Sequence, residues 1–387
     1  MHRRTVLRLF GSVAVAGVPG VQPPASRGRD RVVVAGGGIL GANIAYALAR
    51  RGADVTVVER TAPGSGATAN SFAWINSTYS KQPWPYFQLN RLGIEAWRQL
   101  DRDLPGALPL RWGGSVEWYA DPARAARFRD EVKKHQAWGY PTEIIDDARL
   151  EALEPKVTFG PVAAAGHATL EGHVDPVRVT EVLLAEAAKL GARVQHPCEV
   201  TGLDQPQGRL RAVKTSSGDI PADVLVVACG TDTPRVAKLA GLTVPLKESP
   251  GVLVHTAPLP ALIDRVILAP AAHMKQKPDG RVVTGAGFGG TPSKDESREG
   301  GEAFLKLAAT VLPALRGATL EKVTLGWRPL PADEFPIVGT ATRPDVYLTV
   351  MHSGVTMSPL MGRLAAIEIL DGVKAEPLEP YRLSRFK

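Results

Sequence analysis

RVVVAGGGILGANIAYALARRGADVTVVER, residues 31–60, decides the fold. A short apolar strand runs into Gly36-Gly37-Gly38-Ile39-Leu40-Gly41, then into an Ala-rich helix and a second apolar strand that ends on Glu59. Each part has a job in holding a dinucleotide. Gly36 permits the tight turn out of the strand, Gly38 lets the backbone approach a pyrophosphate, and Gly41 lets the helix pack closely on the sheet. The helix N-terminus aims free N–H groups and partial positive charge at the phosphates. Glu59 stands where a carboxylate accepts hydrogen bonds from ribose hydroxyls. Strand before, helix after and acid at the right distance make this fingerprint specific.

Downstream, the Gly/Ser/Ala loop from Pro63 to Asn70 precedes a helix predicted from about Pro85 to Leu104, with Leu89, Leu92, Ala96, Trp97 and Leu100 at helical spacing. Arg111 to Tyr119 alternates like a strand, and Pro122 to Trp138 reads as a charged surface helix. Asp175-Pro176 starts a further helix that Gly191 stops. Short strands follow at Glu199–Leu203 and Leu210–Thr215, then an apolar one at Asp223–Ala228. Val252 to Ala286 carries period-2 runs broken by Pro258, Pro260, Pro270 and Pro278, the pattern of an antiparallel sheet. Val323–Trp327 and Val346–Val350 are the last strands, and a final helix from about Met357 to Leu370 ends at Asp371-Gly372. Nucleotide-type strands recurring around an antiparallel block predict an α/β chain, α+β overall. A Rossmann-like domain is assembled from residues 30–105, 165–235 and 320–372, with an inserted antiparallel-sheet substrate domain of 106–164 and 236–319 and a tail of 373–387.

The chain has 387 residues, 44% of them hydrophobic, enough for one large core or two smaller ones. Its formal charge of +7 is local in origin. Arg3, Arg4, Arg8, Arg27 and Arg29 lie in residues 1–29 without an acid, and the remainder is nearly neutral. No polybasic patch or aromatic-basic array points to nucleic acid. The leader has a basic start, a mildly apolar run from Leu9 to Val18, too short to span a membrane, and then Pro19, Pro23, Pro24 and Ala25. Arg3-Arg4 followed by Leu7 resembles a twin-arginine export signal, so the expectation is an exported protein; the alternative is a cytoplasmic enzyme with a basic leader. Cys198 and Cys229 have no metal-ligand company and read as buried free thiols, with a disulfide as the alternative in an exported protein.

Six ordered segments together resemble the D-amino-acid oxidase, glycine oxidase and sarcosine oxidase superfamily of FAD-dependent oxidoreductases, over nearly everything from Arg31 to about Gly372. They are GGGILG with Glu59-Arg60, Gly66-Ala67-Thr68-Ala69, Gly172-His173-Val174-Asp175-Pro176, and the strand leading to Ala228-Cys229-Gly230. Gly326-Trp327-Arg328-Pro329, leading to Pro336-Ile337-Val338-Gly339, and His352-Ser353-Gly354 complete the set. The resemblance implies that the dinucleotide is FAD, with Gly36, Gly38 and Gly41 at its pyrophosphate and Glu59, followed by Arg60, at its adenosine ribose. The loop carrying Ser65, Ala67, Thr68, Asn70 and Ser71 would cross the ribityl and phosphate region. Val200 would offer backbone atoms to adenine, Gly230 would close the strand end, and Gly354, Val355 and Thr356 would lie under the flavin pyrimidine edge. Sarcosine oxidases tether flavin through a late cysteine; no cysteine follows Cys229, so the FAD is expected to be non-covalent.

The resemblance also implies catalytic-site residues. Arg328 would clamp a substrate carboxylate, a task that suits a planar guanidinium. His352 would stand near flavin or substrate, or cap the last helix. Lys275 would lie above the flavin face and aid oxygen or a carboxylate, or be a solvated strand-end lysine. Trp74 and Tyr79 would line the cavity or pack in the core, and Trp327 is expected in the core. The implied activity is oxidation of a small-molecule amine or amino acid by hydride transfer, the imine then being hydrolysed. Oxygen or an electron carrier would accept the electrons. The alternatives are a 2-hydroxy-acid or alcohol dehydrogenase on the same scaffold, and a flavin-binding subunit without turnover.

Overall fold

A computed structural model describes residues 30–79, 81–286 and 294–386. The leader read as an export signal lies outside them. A six-stranded sheet holds, in order, Ile337–Thr340, Val346–Val350, Val224–Val227, Arg31–Ala35, Asp54–Val58 and Arg193–Gln195. It is parallel except for Ile337–Thr340, which pairs antiparallel with Val346–Val350.

Alternation along these strands sorts the two faces. Val32, Val34, Val55 and Val57 enter one core with the helices Ile39–Arg50, Trp84–Asp103, Pro176–Lys189 and Gly354–Asp371. Val33, Ala35, Leu225 and Val227 face the other way. They pack with Val200 and Val213 of a three-stranded antiparallel sheet, Val200–Asp204, Ala212–Thr215 and Gly218–Pro221. Gly93 lets two of the helices meet closely, because a Cβ there would stand 2.6 Å from the Thr356 carbonyl. That contact fixes the first turn of the last helix.

The second large sheet has eight strands, in the order Leu320–Trp327, Pro250–Thr256, Val282–Gly285, His273–Gln276, Val266–Leu268, Ser115–Tyr119, Ala164–Ala168 and Thr142–Ile145. All neighbours are antiparallel except Val266–Leu268 with Ser115–Tyr119. One face packs on the helix Arg298–Val311, while Leu253, Val266, Leu268 and Val283 meet Phe72 and Trp74.

Three differences from the sequence reading have physical causes. Leu320–Trp327 and Ala164–Ala168 hydrogen-bond into the eight-stranded sheet, although the sequence assigns the first strand, and the second from residue 165 on, to the nucleotide-binding segments. The last helix starts at Gly354, before Met357, since Gly354 and the β-branched Val355 and Thr356 are weak helix formers in the sequence. Residues after Gly372 are no loose tail. Leu378 and Tyr381 are buried, Arg382 pairs with Glu368, and Arg385 pairs with Asp333 at 2.7 Å. No helix among the described residues is long and apolar enough to cross a membrane.

Candidate active site

A cavity of about 730 Å³ is lined by residues that follow strand ends of the six-stranded sheet, Gly36, Glu59, Ala228 and Met351, by Gly251, Leu253, Gly326 and Trp327 of the eight-stranded sheet, and by two helix N-termini. The fingerprint builds one part of its wall. Gly36 has φ +105°, and a Cβ there would lie 2.3 Å from the Ala228 carbonyl oxygen; a Cβ on Gly41 would lie 1.9 Å from the Gly36 oxygen. No larger residue keeps this turn. Gly38 has no side chain to cap the helix it precedes, so Thr68 reaches in and its Oγ1 accepts from Ile39 N at 3.1 Å. Glu59 accepts from Gly37 N at 2.8 Å and Thr61 N at 2.9 Å, which locks the turn to the second strand and leaves acceptor capacity on both oxygens.

Ser65, Ala67, Thr68, Asn70 and Ser71 line the same wall, with Gly230 and Arg60 across from them in sequence. Arg60 is held by Asp232 at 3.3 Å. Gly354, Val355 and Thr356 are also on the wall. Thr356 Oγ1 donates to Trp74 O and accepts from Asn76 N, both at 3.2 Å, so this side chain ties the 74–76 segment to the helix start. Ser353, the residue before that helix, makes no capping bond to its backbone. Two helix N-termini thus open on one cavity whose fingerprint turn is cleared by glycine. These features fit a dinucleotide whose phosphates and ring carbonyls are acceptors, with Gly36, Gly38 and Glu59 at one part and Gly354–Thr356 at another; Gly41 is not on the wall and serves it only by packing against the Gly36 carbonyl.

Val200 is not on this wall. It is buried, and its carbonyl accepts from Arg235 at 3.1 Å. Cys198 and Cys229 are both free thiols. Cys229 donates to Ala35 O at 3.3 Å, and burial pushes its thiol up to about 12.

Arg328 lines the cavity beside Ser249 and Gly251. Its Nη1 donates to Pro250 O, and no carboxylate among the described residues lies within ion-pair distance. Burial alone lowers its pKa, and a guanidinium remains charged regardless. Gly251 makes the room, since a Cβ there would stand 2.3 Å from Arg328 Nη2. His352 shares the wall, its imidazole pushed down to about 3 by burial first and then by the charges of Lys81 and Arg328. The imidazole is therefore neutral near pH 7.

Lys275 is neither solvated nor on the cavity wall. It is 1% exposed, its Nζ donates to Val174 O at 2.7 Å, and it lies 5.7 Å from the Phe72 ring centroid. Phe72 is a wall residue, so the lysine stands behind it. Burial pushes its amine down to about 7. Trp74 and Tyr79 line the cavity, and so does Trp327, which is 36% exposed with Lys294 over its ring and no part of a core.

The sequence reading missed Lys81. It is buried on the wall, where Nζ donates to Ser353 Oγ, and Tyr86 Oη pairs with the same Ser353 Oγ at 2.8 Å. A lone lysine in a connecting loop has no local signature; only tertiary packing brings it to the last helix.

The family model for DAO, FAD dependent oxidoreductase, matches residues 31–367. The oxidoreductase YurR of Bacillus subtilis, itself uncharacterized, is 27% identical over 90% of this chain and 97% of its own length. The glycine oxidase of Bacillus licheniformis is 25% identical over 93% of this chain and 98% of its own. The structure of an L-amino acid deaminase from Proteus vulgaris superposes with a TM-score of 0.84 at 24% identity, over 96% of this chain and 97% of the other, a likeness of fold. With a glycine-cleared fingerprint turn, two helix N-termini on one cavity and a family match along most of its length, the chain belongs to the DAO family of FAD-dependent oxidoreductases.

Proposed function

We propose that this FAD-dependent oxidoreductase oxidises a small amine that carries a carboxylate, an amino acid or a close relative. The observation that carries the reading is Arg328, a half-buried cation on the cavity wall without a carboxylate partner among the described residues. A carboxylate from the substrate would complete it through two parallel N–H···O bonds. The glycine oxidase likeness supports the same substrate class.

Bound FAD would supply the two-electron acceptor. The chain's own residues do the rest by binding and orientation. Arg328 fixes one end of the substrate, and Trp74, Tyr79 and Trp327 limit its water contact. His352, kept neutral, adds a polar group without adding charge. An amine that arrives unprotonated needs no base.

Oxidation of a 2-hydroxy acid would need a group to take the hydroxyl proton, and the wall supplies poor ones. Its acids are engaged: Glu59 by backbone N–H groups, Asp232 by Arg60 and Arg235, Asp333 by Arg385, and Glu334 by Lys247 at 2.6 Å. His352 is too weak a base. The amine reading is tested by pairing amino acids with their decarboxylated analogues, glycine against methylamine and sarcosine against dimethylamine. A carboxylate clamp requires kcat/KM at least about tenfold higher for the acid of the pair that is turned over. Equal values would remove the clamp and leave Arg328 a structural residue.

A further inference from the structure

The charge balance of the cavity wall is uneven. Every acid on it is already satisfied, Glu59 by the backbone and Asp232, Asp333 and Glu334 by arginine or lysine. Of its three cations, Arg60 is spent on Asp232. Lys81 and Arg328 have no carboxylate within ion-pair distance among the described residues. The residues outside the description, 1–29, 80, 287–293 and 387, include no Asp or Glu that could serve.

Lys81 is not a surface lysine. It is 7% exposed, donates to Ser353 Oγ, and lies 5.4 Å from the Tyr86 ring centroid. Lys81, whose Nζ donates to Ser353 next to His352, shares one cavity wall with His352 and Arg328. The uncapped start of the last helix, at Ser353, adds partial positive charge beside them. Buried cations without counter-ions are costly unless a ligand completes them.

Oxidised FAD, held by the fingerprint turn and by Gly354–Thr356, would bring no full negative charge to Lys81 and Arg328. Its anionic pyrophosphate belongs at the fingerprint turn, and its oxidised ring is neutral. An amino acid with one carboxylate brings one negative charge and an ammonium that two cations repel. We propose that the substrate is an amine bearing two carboxylates, one taken by Arg328 and the other by Lys81. This rests on the amine-oxidation reading and narrows it. Lys81 is then the residue that sets specificity, and the excess positive charge also favours the unprotonated amine.

The test uses the FAD-loaded enzyme and reads binding without turnover. Malonate, succinate, glutarate and adipate, and the monocarboxylates of equal chain length, are titrated against the visible flavin spectrum. Inorganic phosphate is the control dianion. The best dicarboxylate should bind at least about tenfold more tightly than its monocarboxylate. Lys81→Met should bring that ratio to about one with flavin content unchanged, and Lys81→Arg should keep part of it. The inference is overturned if the parent shows no preference, or if phosphate binds as tightly as the best dicarboxylate. It is equally overturned if the ratio stays intact in Lys81→Met; a shifted flavin reduction potential in that variant would then make Lys81 a partner of the flavin. Should either variant fail to hold FAD, the parent ratio alone decides. Reduction of the flavin by glycine with no dicarboxylate preference would overturn this inference alone. Dicarboxylate preference with no reduction by iminodiacetate, aspartate or glutamate would overturn the amine reading and this substrate class with it.

Discussion

Arg328 and His352 are both basic side chains on one wall, yet their surroundings give them opposite charge states. The guanidinium stays charged through burial, whereas the imidazole, pushed down to about 3, stays neutral. If Arg328 clamps a carboxylate, Arg328→Ala should lower kcat/KM by at least tenfold and leave FAD content intact, since an unpartnered buried charge costs about 2–5 kcal/mol. Arg328→Lys should recover only part, because an ammonium cannot reproduce the fork. His352 contributes no titration in the working range, so His352→Gln should change the height of the kcat/KM–pH profile and not its inflections. The rising limb should follow the amine of the substrate; a limb that vanishes in His352→Gln would show the imidazole acting as the base. Arg328 was legible in the sequence because Gly-Trp-Arg-Pro is a local string. Lys81 was not, because its meaning comes from Ser353 and Tyr86, remote in the chain.

At the scale of the elements, the fingerprint unit was legible throughout, because its constraints are local: a strand, a turn only glycine can make, and a helix that must sit close. Gly41→Ala should destabilise the protein by about 1–3 kcal/mol through overpacking against the Gly36 carbonyl. It should also lower the flavin-to-protein absorbance ratio, and an unchanged melting temperature and ratio would refute the close packing. Strand Leu320–Trp327 was misassigned because sequence does not encode which sheet a strand joins; its partner Pro250–Thr256 is distant in sequence. The strand His273–Gln276 shows the same limit, since period-2 alternation could not reveal that Lys275 lies behind Phe72. That burial makes a pH prediction. Lys275 has its pKa depressed from 10.5 to about 7, so the unfolded chain binds the extra proton between those values and stability rises with pH across that window. Removing the charge with Lys275→Met should therefore help most near pH 7. Its melting-temperature advantage over the parent should shrink as the pH is raised toward about 10; a constant difference would mean that the amine is not buried as described.

For the molecule as a whole, two sheets of different character share one cavity, and the sequence disclosed this as nucleotide-type strands flanking a proline-broken antiparallel block. It did not disclose that the C-terminal segment closes the wall, where Tyr381 packs on Tyr86 and Phe335 and Arg385 engages Asp333. The segment after Gly372 has too few apolar residues for a periodic pattern, and its ion pairs are long-range. We also propose that residues 1–29 act as a twin-arginine export signal, on the strength of Arg3-Arg4, Leu7 and the short apolar run. Replacing Arg3 and Arg4 by Lys should keep the flavin-loaded protein in the cytoplasm, and an unchanged location would reject the signal. The central claim, oxidation of a carboxylate-bearing amine, is tested most directly by mixing the FAD-loaded enzyme without oxygen with a panel of amino and imino acids, and separately with the matching 2-hydroxy acids. The account expects bleaching of the oxidised flavin by at least one amine and none by its hydroxy counterpart. Bleaching by the hydroxy acids alone, or by neither panel, would contradict it.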